Sequence, residues 1–111
     1  MTEWITIGSI PLTEPMRLWA TSMGGQLRTQ PIVCWLIQHS YWESGDPAQS
    51  RVVPAVADER TGQLCVVDLT YVHHIGVYAD RAKPSASEIK RAQDRTQAYF
   101  DAREARLIAH Q

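Results

Sequence analysis

Residues 64–80 read LCVVDLTYVHHIGVYAD. One alternate row, Cys65, Val67, Leu69, Tyr71, His73, Ile75, Val77 and Ala79, is apolar except for a histidine. The other, Leu64, Val66, Asp68, Thr70, Val72, His74, Gly76 and Tyr78, is mixed. Successive strand side chains point to opposite faces, so the pattern predicts a strand with His73 on its core face and His74 on its outer face. Sixteen extended residues would reach on the order of 50 Å, against a radius of gyration of about 13 Å for a domain of this size. The strand must therefore bend, bulge or break, near residues 68–70 or at Gly76.

Outward from this row, residues 4–10 (WITIGSI) read as a first strand rich in β-branched side chains. Thr13 reads as an N-cap with Glu14 and Pro15 behind it, and Met16, Trp19, Ala20 and Met23 recur at i, i+3, i+4, i+7. That spacing predicts a short helix stopped by Gly24-Gly25. A second strand is expected within residues 27–42, apolar on both faces from Ile32 to Ile37, then a loop over residues 43–50. Residues 51–58 read as a third strand. Pro54, which cannot donate a ladder hydrogen bond, assigns it to an edge or a bulge; an unpaired edge there invites strand addition by a second copy, and Pro54 argues in part against that. Glu59-Arg60-Thr61-Gly62 is a hairpin connection into the row above.

Ser85-Ala86-Ser87-Glu88 matches the capping box and predicts a long helix over about residues 85–109. Ile89, Ala92, Thr96, Tyr99, Phe100, Arg103 and Leu107 share one side of it. The order strand, helix, three strands, helix predicts one α+β domain over residues 1–111, a two-layer sandwich with a mostly antiparallel four-stranded sheet.

The chain has 111 residues, 44% hydrophobic and 21% charged, with a formal net charge of -1. That is globular composition, with no global field to draw the protein onto nucleic acid or an anionic membrane. The longest apolar run, residues 32–37, is far short of the roughly 20 residues that span a bilayer. An acid at Glu3 stands where a secretory signal is basic. A soluble, cytoplasmic protein is expected, and Cys34 and Cys65 read as small buried free thiols in apolar strands. The absence of asparagine and the nine arginines against two lysines point to a GC-rich bacterial or phage-like genome.

No phosphate-binding glycine loop, nucleophile elbow or metal-ligand spacing is present in the sequence. The His73-His74 pair converges on one ion only if the local chain is a turn, since adjacent strand residues face apart. No enzyme activity, cofactor or metal is expected. Contact residues are expected where aromatics meet a loop edge or a mixed face, at Tyr41, Trp42 and Tyr78. They are also expected on the last helix, where Arg91, Arg95 and Arg106 line one flank and Asp94, Asp101 and Glu104 the other.

These features together predict a small non-enzymatic protein-binding module, an adaptor, subunit, regulator or inhibitor. A phage-type inhibitor of a larger bacterial complex is a special case. Two alternatives belong to other classes. One is a small enzyme, ligand binder or metal binder centred on His73 and His39. The other is nucleic-acid binding through the helix arginines.

Overall fold

The computed structural model describes residues 3–109. Its elements are β1 (Trp4–Pro11), β2 (Met16–Thr21), β3 (Leu27–Pro31), β4 (Cys34–Tyr41), β5 (Pro47–Ala57), β6 (Leu64–Val66), β7 (His74–Ala79) and α1 (Ala86–Ala109). Antiparallel sheets with one long C-terminal helix make an α+β fold. The chain gathers into two compact units, residues 1–15 with 31–68 and residues 16–30 with 69–111.

The first unit is a four-stranded sheet in the order β1-β4-β5-β6, antiparallel throughout. On one face Leu36, Val53 and Ala55 are buried together with Cys34 packed against them. A polar ladder runs across three strands. Gln38 Nε2 donates to Thr6 Oγ1 at 3.1 Å, and Arg51 Nε donates to Gln38 Oε1 at 2.9 Å. The Arg51 guanidinium also lies 4.1 Å from the Trp4 ring centroid, a cation–π contact.

Pro54 does not make β5 an edge strand: β5 lies between β4 and β6. Proline is tolerated there because it sits where the β6 ladder stops. Val67 N–H donates to the Pro54 carbonyl at 2.9 Å, and the reciprocal donor that Pro54 lacks falls just past the end of β6. The expected loop over residues 43–50 is shorter, because Trp42 N–H bonds Asp46 O at 2.9 Å and β5 begins at Pro47. The hairpin after β5 forms as expected. Asp58 Oδ1 accepts from the backbone N–H groups of Arg60 and Thr61, and Gly62 takes a φ of 70°.

The second unit is a three-stranded sheet, β3-β2-β7, with α1 packed on β2 and β7 in a second layer. Here the helix expected at residues 13–23 is a strand, β2, and Gly24-Gly25 is its turn into β3. Leu18, Trp19 and Thr21 are all buried. β2 is the central strand of its sheet with α1 packed on it, and helical spacing appears within it by coincidence.

The row at residues 64–80 breaks where expected. β6 ends at Val66, residues 69–73 turn, and β7 starts at His74. A bulge follows between the pairs Trp19–Gly76 and Ala20–His74. The row is not a continuous core wall, however: Leu64, Cys65, Val66, Leu69 and Tyr71 are exposed. β6 is only three residues long and forms the last strand of its sheet, so little covers it. Cys34 and Cys65 are free thiols, and Cys65 is exposed rather than buried.

Candidate functional site

The capping box opens α1 as its sequence requires. Ser85 Oγ accepts from Glu88 N–H at 3.2 Å, and Glu88 Oε1 accepts from Ser85 N–H at 3.2 Å. The other Glu88 oxygen accepts the Tyr78 hydroxyl from β7. The Tyr78 bond, followed by those from Ser85, holds the Glu88 carboxyl below its ordinary value of 4.5, and the same bond raises Tyr78. Tyr78 is thus half-buried and bonded to the start of α1, not a free contact residue.

A lowered carboxyl stabilises the fold above its unfolded value and stops doing so as pH falls through its folded value. Glu88→Gln should therefore melt at a lower temperature than wild type at pH 7, with the gap closing below about pH 4.5. Thermal melts at pH 7 and pH 3 check this, and an equal gap at both would contradict it.

Along α1, only Ala92 and Thr96 are buried, with Ile89 and Phe100 half-buried. A helix of 24 residues is about 36 Å long, whereas strands of six residues span about 20 Å. The helix outruns its sheet, so the predicted stripe is used only in its first half. Leu107 and Ile108, 62% and 61% exposed, lie beyond it.

The charges on α1 segregate at about 100° per residue. On the acidic flank, Lys90 Nζ pairs with Asp94 at 3.2 Å, and Gln97 Nε2 donates to Asp101 Oδ1 at 2.9 Å. On the arginine flank, Arg91 Nε reaches only Ser87 O at 3.4 Å and Arg95 Nη2 only His74 O at 3.5 Å. Among the described residues, none of Arg91, Arg95, Arg103 and Arg106 forms an ion pair. Arg91 and Arg95 line a cleft of about 180 Å³ with Ile75 and Glu88.

Next to this flank, Thr70, Tyr71, Val72 and His73 from the turn face Tyr99, Phe100 and Arg103 from α1 across a groove of about 440 Å³. His73 and His74 are not split across two faces. Their ring centroids are 4.2 Å apart, because His73 lies in a turn closed by His74 N–H on Tyr71 O at 3.1 Å. Tyr71 stacks on His74 at 5.8 Å. Burial, and then the neighbouring His74, lowers the His73 pKa from 6.5, favouring the neutral ring. Among the described residues no group of three or more His, Cys, Asp or Glu is placed to hold a metal.

Tyr41 and Trp42 belong to the first unit, at the β4–β5 turn, where Trp42 is 64% exposed. His39 lies on β4 with its ring 6.2 Å from that of Tyr41. The expected contact residues thus fall in two places, Tyr41 and Trp42 in one unit and Tyr78, Arg91, Arg95 and Arg106 in the other. Sequence reasoning missed the grouping of Tyr71 and His73 with Tyr99, Phe100 and Arg103. Its one available signal was that the histidines converge if the chain turns there.

No family model, curated protein or solved structure matches the chain. No described helix is long and apolar enough to cross a membrane.

Proposed function

We propose that this protein is a non-enzymatic protein-binding module whose α1 arginine flank captures an acidic segment of a partner. One observation carries the reading: Asp94 and Asp101 are tied to Lys90 and Gln97 on their own helix, whereas the flank arginines Arg95 and Arg106 form no ion pair among the described residues. Guanidinium groups bind carboxylates through paired, charge-assisted hydrogen bonds, so exposed arginines without an ion pair are complementary to an acidic chain. Leu107, 62% exposed, adds apolar area for the same partner. The arginine-rich, asparagine-free composition fits an inhibitor or regulator from a GC-rich bacterial or phage genome as one form of this module.

Selection from a random peptide display library tests the reading. Acidic peptides should be enriched, and Arg95→Glu/Arg106→Glu should weaken them by about 100-fold, as expected for two charge-assisted contacts reversed. Circular dichroism should stay unchanged, since both side chains are exposed. Single-stranded DNA binding more tightly than any selected peptide, with a steep salt dependence, would assign the flank to nucleic acid instead. A stable homodimer that the double variant dissociates would assign it to self-association.

A further inference from the structure

We propose that the groove between the turn at residues 69–73 and α1 binds a small planar aromatic carboxylate, its ring against Tyr71, Tyr99 and Phe100 and its carboxylate on Arg103. This goes beyond the capture of an acidic partner and uses different residues of α1.

The groove is built rather than incidental. Its turn wall is tied to the sheet by Thr21 N–H on His73 O at 2.8 Å, and is closed on itself by His74 N–H on Tyr71 O at 3.1 Å. Its helix wall is a ring pair, Tyr99 and Phe100 edge to face with centroids 5.4 Å apart. Walls fixed in this way bind without first being ordered, which lowers the entropy cost of capture. The volume of about 440 Å³ falls in the range of small-molecule sites.

The chemistry of the lining selects the ligand. Tyr71, His73, Tyr99 and Phe100 present aromatic surface on both walls, which suits a flat ring. Aromatic walls also attract cations, but no acidic side chain lines the groove and Arg103 repels a second positive charge. The same guanidinium, without an ion pair among the described residues, attracts a carboxylate. His73, favoured in its neutral form by its burial, adds a ring face and a hydrogen-bonding nitrogen rather than a second charge.

Titration of the ¹⁵N-labelled full chain with indole-3-acetate tests the assignment, with indole-3-ethanol and acetate as the ring-only and charge-only probes. Saturable shift changes are expected at residues 70–73 and 99–103 with indole-3-acetate. Arg103→Ala should weaken that probe about tenfold, the loss of one charge-assisted contact, and leave indole-3-ethanol unchanged. Tyr99→Ala should weaken both indoles. Both side chains are exposed, so the fold should survive either change. The assignment is overturned by the absence of saturable shifts up to about 10 mM, or by equal binding of acetate or indole-3-ethanol. It is also overturned if a blocked Glu-Trp-Glu peptide binds more than about tenfold tighter than indole-3-acetate, which would give the groove to a partner's side chain.

Discussion

Leu36→Ala should lower the unfolding free energy by about 3 kcal/mol, the usual cost of truncating a buried leucine with partial collapse of the cavity. Leu36 is at the middle of the four-stranded sheet, paired with Ser9 of β1 and Val53 of β5, and only 6% exposed. It packs with Val53 and Ala55, both themselves buried, so the space left by its isobutyl group has no flexible neighbour to fill it. The adjacent residue supplies the control. Ile37 faces the opposite side of the sheet, where it pairs with Val52 and is only half-buried. Ile37→Ala should cost about 1 kcal/mol, since less of its surface leaves water on folding. Urea denaturation of the two variants reads the difference. A reversed order of costs would shift the β4 register by one residue, because such a slip exchanges the two faces of a strand.

The second large effect is expected in the other unit. Thr96 is 2% exposed in α1, its hydroxyl donating to Ala92 O at 2.7 Å and meeting the Thr21 hydroxyl of β2 at 3.1 Å. Thr96→Val keeps the shape but leaves the buried Thr21 hydroxyl without this partner, at a cost of about 2 kcal/mol. Thr21→Val/Thr96→Val should recover a good part of that loss, because replacing both polar partners by apolar groups removes the unsatisfied one. The double-mutant cycle measures the coupling directly. Additive losses in the cycle would mean that the two hydroxyls do not interact.

Parts of the fold that depend on neighbours in sequence were legible in it. Ser85 and Glu88 are three residues apart, and their capping box starts α1 where the sequence places it. Asp58 and Gly62 close the β5–β6 hairpin by local bonds alone. The strand β2 was not legible, because Met16, Trp19, Ala20 and Met23 satisfy the helical period as well as any true helix. What makes this segment a strand is its ladder to β7, which begins more than fifty residues later, from Met16 opposite Ala79. Propensity yields to such tertiary pairing. The site divides in the same way. The arginine flank follows from helical geometry, since α1 sets Arg91, Arg95 and Arg106 on one side by local spacing. The groove joins Tyr71 and His73 to Tyr99, Phe100 and Arg103 through a turn that interrupts a strand-like alternation, and no single period contains both walls.

Because α1 outruns its sheet, warming acts unequally on its two halves. Residues 104–109 hold their helical form through continuity with the docked part of α1, since an isolated helix shorter than about 12–15 residues is marginal in water. Fraying of that end is a local event that leaves the buried Thr21–Thr96 contact intact, and it draws on a far smaller free energy than global unfolding. Arg106, Leu107 and Ile108 are therefore expected to lose their helical form on warming before the core beneath α1 opens. A partner of the proposed kind, bound there, would complete the folding of this segment, and its affinity should fall with temperature faster than the core melts.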